Sequence, residues 1–242
     1  RERKNIMKAL RTKLSTYAIA LLLSCGFSNV SWSGSSDFSG IFGAMYGSAG
    51  GAQISGTHKD QSGAETKGQV GGVLPIGGYE LGFNLPVGDV FFLGVGHSWT
   101  QSGTVTIAEG IDRGIKDPGS PQTGEDAGAD ASYHLKAKNL KSVYLMPSIS
   151  IYDNSALYVK LGRSIADMEL HGSASGTPNN LTGDTWGVGT IAMTNSGLFI
   201  KTEGTYTQFD DILVVGVGGS GSALVEGNPD VVAGTVAIGF KF

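Results

Sequence analysis

The stretch Val232–Phe242, VAGTVAIGFKF, decides how the rest of the chain is read. Val232, Val236, Ile238, Phe240 and Phe242 fall on one face of an extended strand, and Ala233, Thr235, Ala237, Gly239 and Lys241 on the other. Period-two alternation marks a strand with two unlike surroundings, because successive side chains point to opposite sides of the pleat. The pattern recurs upstream. Val143, Leu145, Pro147, Ile149 and Ile151 alternate with Ser142, Tyr144, Met146, Ser148 and Ser150. Val73, Tyr79, Leu81 and Phe83 oppose Gly78, Glu80, Gly82 and Asn84. Phe91, Leu93, Val95 and Trp99 oppose Phe92, Gly94, Gly96, Ser98 and Thr100, and Leu198, Ile200 and Tyr206 oppose Lys201, Glu203, Thr205 and Thr207. Composition agrees: 39 of 242 residues are glycine, and at about 1 kcal/mol per helix-interior glycine a helical bundle is excluded. A single cysteine excludes a disulfide framework and a cysteine-rich metal site.

The two faces then have to be assigned. A soluble sandwich turns its apolar face inward and its polar face to water; a membrane barrel turns the apolar face to lipid and the small or polar one to the lumen. Here the second face is crowded with Gly, Ser and Thr, and only 16% of the chain is charged. A solvated surface carries far more Lys and Glu. The apolar faces are therefore expected to meet lipid.

Connections fall into two alternating classes. Short turns lie at Leu85–Gly88, Asp153–Ser155 and Asn195–Gly197, and long polar loops at Gly56–Lys67, Glu109–Ala131, Gly172–Gly183 and Ile212–Asp230. Strands are predicted near 38–54, 68–84, 89–106, 133–152, 156–170, 184–194, 198–210 and 231–242. The expected fold is all-β: an eight-stranded antiparallel up-and-down transmembrane β-barrel with short turns at one end and four long loops at the other. Each strand exceeds the roughly 9–11 residues that cross tilted hydrocarbon, and closure leaves no edge exposed to lipid. Strand 1 has no clear phase, since Phe42, Ala44 and Tyr46 compete with Ile41, Gly43 and Met45. The alternation also weakens around Arg163, at a bulge or at the membrane boundary.

The N-terminus is different in kind. Arg1, Arg3, Lys4, Lys8, Arg11 and Lys13 precede an apolar run from Tyr17 to Phe27, followed by small polar residues. That order describes a secretory signal peptide, and the run is too short for a membrane-spanning helix, which needs about 20 apolar residues. Residues 1–33 are read as the signal, cleaved after Ser31-Trp32-Ser33, and 34–242 as the barrel domain. Cys25 in Leu22-Leu23-Ser24-Cys25 offers lipidation as the rival outcome. Removing the signal leaves eleven basic and twenty acidic residues, which excludes nucleic-acid binding through basic patches.

With these features in place, the chain resembles the small outer-membrane β-barrel proteins of Gram-negative bacteria, the OmpA/OmpX/Opa-like superfamily (a porin-family outer membrane β-barrel domain). The carrying residues are the last strand ending on Phe242, the stretch Phe38-Ser39-Gly40-Ile41-Phe42-Gly43, and Ala156-Leu157-Tyr158-Val159-Lys160-Leu161-Gly162 after a tight turn. The resemblance implies residence in the outer membrane among its lipids. It also implies that Val236, Ile238, Phe240 and Phe242 are read by the barrel assembly machinery during insertion. No C-terminal periplasmic domain is expected.

Function is sought on the inner face. Glu80 lies five residues before the turn at Leu85, Lys160 five after Ser155, and Lys201 and Glu203 four and six after Gly197. Lone ions in a narrow barrel cost several kcal/mol to desolvate, so these four are expected to pair across the lumen, as a structural plug or a gate. Tyr46, Phe83, Trp99, Trp186, Phe199 and Tyr206, with Phe240 and Phe242, are assigned to interfacial girdles. No catalytic role, cofactor or metal is expected. His58, His97, His134 and His171 show no repeated ligand spacing. His171 and Ser173 share a face as a nucleophile–base pair would, without an acidic partner, and Asp210-Asp211 reads as a loop rim. Gly216–Gly221 imitates a phosphate loop but lacks its lysine. Three readings remain: a barrel with a structural, adhesive or minor-pore role carried by its loops; a barrel enzyme acting on membrane lipid; and a soluble lipocalin-like or sandwich binder. The extracellular partner is not named by any motif.

Overall fold

The computed structural model describes residues 34–59, 65–101, 105–112, 131–152, 154–172, 180–215 and 224–242. The expected signal at 1–33 with Cys25, the Gly216–Gly221 stretch and Ser173 lie outside the described residues. Among the described residues a 3-10 turn, Ser35–Phe38, precedes ten strands. They are β1 (Gly40–Lys59), β2 (Glu65–Val87), β3 (Phe91–Thr100), β4 (Val105–Asp112), β5 (Ala131–Tyr152), β6 (Ser155–Gly172), β7 (Leu181–Met193), β8 (Leu198–Phe209), β9 (Ile212–Val215) and β10 (Leu224–Lys241).

Eight of them close a ring in the order β1-β2-β3-β5-β6-β7-β8-β10, with β10 returning to β1 from Phe42↔Lys241 to Lys59↔Leu224. All neighbours are antiparallel. Following the hydrogen-bonded partners once around from Phe42 leads through Gly82, Gly96, Tyr144, Gly162, Thr185, Thr207 and Val231 back to β1 at Ala52, ten residues further along. This stagger is what tilts the strands by roughly 35–45° to the barrel axis. The fold is thus the closed all-β, eight-stranded antiparallel barrel that the alternation predicts.

The two further strands are extensions at the loop end. β4 pairs with β5, and β9 with β10. The single strand expected at 89–106 is accordingly interrupted after Thr100, and the loop expected at Gly56–Lys67 is largely strand, with Gly56–Lys59 hydrogen-bonded to Glu65–Gly68. The last strand likewise begins at Leu224 rather than near residue 231. Polar, glycine-rich sequence reads as loop, yet ladder pairing satisfies each N–H and C=O as the staves continue past the apolar belt. The weakened alternation near Arg163 is not a bulge in β6, which pairs with β7 without a break from Ser155 to Ala166. The bulge lies in the neighbouring β5, between Lys138 and Lys141, where Asn139 takes φ 54°.

Parity decides the surfaces. Val95, Val143, Leu145, Leu161, Val188, Val232, Val236 and Ile238 are exposed and form a belt around the outside, with Val188 reaching 63% exposure. On β8 the belt runs from Leu198 to Tyr206, eight steps or about 26 Å along a strand at about 3.3 Å each. Tilt reduces that to a height of about 20 Å, close to the roughly 25 Å apolar band of membrane barrels. Strand 1 takes its phase from Phe42 and Ala44, which are buried inside, while Ile41 and Met45 face out. A soluble binder with internal Val and Ile faces is therefore excluded.

Candidate functional site: the lumenal charge layer

Inside, the barrel is stacked in layers. Nearest the short turns, Phe38, Phe42, Phe92, Met146, Ile191, Met193 and Phe199 pack into one apolar cluster. Nearest the loops, Ala52, Ala166, Met168, Leu181, Phe209 and Ile212 form another. Between them lie the charges, and above the charges a hydroxyl ladder crosses four strands. It runs from Ser142 to Ser164 at 2.6 Å, Ser164 to Thr185 at 2.6 Å and Thr185 to Thr207 at 2.8 Å.

The structure brings Glu80, Lys160, Lys201 and Glu203 into this middle layer, all buried. β2 supplies Glu80, β6 Lys160, and β8 both Lys201 and Glu203, two residues apart and hence on one face. Lys201 Nζ donates to Glu80 Oε1, with both side chains almost fully buried. Lys160 Nζ donates to Glu203 Oε1 at 2.9 Å, and the Tyr158 hydroxyl donates to Glu203 Oε2 at 3.0 Å. The ammonium groups also face rings: Lys160 Nζ is 4.3 Å from the Tyr144 ring centre, and Lys201 Nζ is 5.8 Å from those of Tyr144 and Tyr158. Such contacts add to the stabilisation of a desolvated cation. Two carboxylates thus meet two ammonium groups, the condition for keeping ions in a low-dielectric interior.

Tyr144 and Tyr158 are members of this layer that sequence reasoning overlooked, although Tyr158 shares its parity with Lys160 and Tyr144 sits on the polar face of β5. Their rings are admitted by glycines. A Cβ at Gly96 would collide with the Tyr144 ring, and one at Gly189 with that of Tyr158. The abundance of glycine therefore has a packing cause as well as a topological one: inward aromatics lie over inward glycines of the adjacent strand.

Two girdle assignments are corrected. Phe199 points into the lumen, buried at 5% and edge-on to Phe42 with ring centres 6.0 Å apart. It shares the odd face of β8 with Lys201 and Glu203, so parity alone excludes it from the lipid surface. Tyr46 follows Phe42 and Ala44 inward, packs against the lower cluster and meets Thr100 Oγ1 through its hydroxyl at 3.2 Å. The others lie on the outer face. Trp186 packs on Tyr206 at 5.1 Å and Trp99 on Tyr79 at 5.9 Å toward the loop end. Phe83 is exposed nearer the short turns, where Phe240 packs on Phe242 at 5.4 Å. Val236 and Ile238 lie on the same outer face of β10.

Just beyond Trp186 the outer surface becomes charged. Arg163 reaches Asp184 at 3.2 Å and Asp210 at 3.6 Å, and Asp210 also accepts from Thr182. Lys138 pairs with Glu169 and Asn139 with Asp167. These pairs are more than a third exposed and contribute little to stability, but they mark the upper limit of the belt. Asp211, the neighbour in the expected rim, accepts from Asn228. His97 faces outward and stacks on Trp99 at 5.6 Å, and His134 and His171 are register partners across β5 and β6.

No family model matches the chain, and none of the curated protein sequences matches it. Solved structures do. The outer membrane protein OprG from Pseudomonas aeruginosa is 15% identical with a TM-score of 0.55, covering 84% of this chain and 96% of its own. Ail, the attachment invasion locus protein of Yersinia pestis, is 16% identical with a TM-score of 0.38, covering 82% and 99%. The outer membrane protease OmpT from Escherichia coli is 10% identical with a TM-score of 0.41, covering 84% and 97%. The closed eight-stranded ring, its outward apolar belt and the superposition on OprG together show that this chain has the fold of a small membrane β-barrel.

Proposed function

We propose that the chain is a closed barrel without catalytic activity, whose role is structural or adhesive and is exerted at its loop end. The observation that carries this reading is the middle layer, where, among the described residues, the buried carboxylates and ammonium groups pair with one another between two buried apolar clusters. An eight-stranded barrel has an interior just wide enough for such filling, so solute passage would require dismantling two buried ion pairs. The turns joining β2 to β3, β5 to β6 and β7 to β8 then face the periplasm and the longer connections face outward. Cleavage after Ser33, recognition of Val236, Ile238, Phe240 and Phe242 by the assembly machinery, and contact with outer-membrane lipid belong to the same reading. The partner recognised at the loop end is left to binding experiments. The test is reconstitution in planar bilayers. A folded preparation, identified by a gel mobility that changes on boiling, is expected to give no steady conductance. A reproducible open channel would overturn the reading in favour of a pore gated by Glu80, Lys160, Lys201 and Glu203.

A further inference from the structure

The closed lumen has a second seal, and it is not part of the barrel wall. We propose that residues Ser35–Phe38 form a latch over the short-turn mouth, which governs access from that end to the lumen below the central ion pairs. The inference rests on the reading of the barrel as closed, and deepens it by naming what closes the periplasmic end.

Four attachments support it. Phe38 is 1% exposed and stacks on Phe92 of β3, ring centres 4.9 Å apart and planes 6° from parallel. Its carbonyl accepts from Asn84 Nδ2 at 3.0 Å. Ser35 is held at the β2–β3 turn, its N–H donating to the Asp89 carbonyl at 2.7 Å and its hydroxyl to that of Gly88 at 2.5 Å. Lys241 Nζ donates to the Asp37 carbonyl at 2.7 Å. The latch is thereby tied to β2, β3, the intervening turn and β10, which together with β1 make up half of the ring.

The chain is turned into the mouth at one residue. Gly40 has φ 118°, and a Cβ there would sit 2.6 Å from the Phe242 carbonyl oxygen. Only glycine takes this backbone readily, so Gly40 acts as the hinge between latch and wall. Above Phe38 lies a cavity of about 20 Å³ lined by Phe38, Asn84, Ile191 and Lys201 among others. The volume suits about one water molecule, and the cavity borders both the latch and Lys201.

The test is made on protein expressed with Cys25→Ser, so that the thiol introduced is the one labelled, and it leaves the charge layer intact. Ile191→Cys, facing the cavity, is labelled with a charged, membrane-impermeant thiol reagent, and Phe38→Ala is expected to raise the rate at least about tenfold, the equivalent of about 1.4 kcal/mol in favour of the open mouth. Rates that are equal with and without Phe38 overturn the proposal. Steady conductance of the unaltered protein is a separate outcome: it refutes the closed reading itself, and the latch with it.

Discussion

Replacing Lys201 by methionine tests the energetic basis of the lumenal layer most directly. Lys201 is 2% exposed and, among the described residues, its ion-pair partner is Glu80, itself 4% exposed. Methionine fills much of the same volume, so the loss is chiefly electrostatic: Glu80 keeps a buried negative charge without its ammonium partner. Breaking a buried pair in this way costs about 3–5 kcal/mol. Replacing both members, Glu80→Met with Lys201→Met, removes the desolvation cost along with the attraction and is expected to fall within about 1 kcal/mol of the parent, or above it. The coupling energy from the double-mutant cycle is then about 3 kcal/mol or more. The assay is urea unfolding of barrel reconstituted in phospholipid vesicles, followed by the emission of Trp99 and Trp186 on the outer face, with heat-dependent gel mobility as an independent count of folded protein. A loss below about 1 kcal/mol for Lys201→Met, or a double variant as unstable as the sum of the singles, would refute the argument, because the charges would then be hydrated or redundant.

Val188, midway along the belt at 63% exposure, tests the lipid-facing assignment: Val188→Arg should cost about 2–4 kcal/mol in the same vesicles, and a neutral result would place that face in water. Gly189→Ala should cost about 1–3 kcal/mol, because the new Cβ meets both the Thr202 carbonyl oxygen and the Tyr158 ring; Tyr158→Ala relieves the second contact alone, so the loss should shrink without vanishing. Phe199→Ala should cost about 3–5 kcal/mol as a large-to-small change in the interior, with tryptophan emission of the folded state unchanged, whereas an interfacial ring would give a much smaller loss. Phe242→Ala should leave vesicle stability within about 0.5 kcal/mol, since the side chain is 78% exposed, yet lower the amount assembled in cells; equal assembly would remove its role as an insertion signal.

Much of this architecture is legible in the residues because its governing quantity is local. Alternation along β10 places Val236, Ile238 and Phe240 outward and Ala237 and Gly239 inward with no knowledge of neighbours. The same parity places Lys160, Lys201 and Glu203 inside, and, applied consistently to β8, would have removed Phe199 from the girdle. Tyr46 was ambiguous for a different reason: aromatics and aliphatics stand on both faces of β1, so its phase comes from pairing with β2 and β10. The extensions at Gly56–Lys59 and Leu224–Asp230 escaped notice because backbone pairing, rather than side-chain pattern, maintains them. The Ser35–Phe38 latch has no period at all, and only the contacts of Phe38 with Phe92 and Asn84 reveal it.

The sequence by itself determined the number of staves in the ring, the faces of the strands that alternate cleanly and the small, weakly charged character of the lumen, since each follows from a two-residue period and the spacing of turns. Height around the ring was decided only in the tertiary structure. Whether Glu80 reaches Lys201, or Lys160 reaches Glu203, depends on a stagger of ten residues accumulated through eight hydrogen-bonded interfaces, and a one-residue slip in any of them would turn a strand's inner face outward. Closure of the ring fixes that sum, and with it which buried charges find a partner.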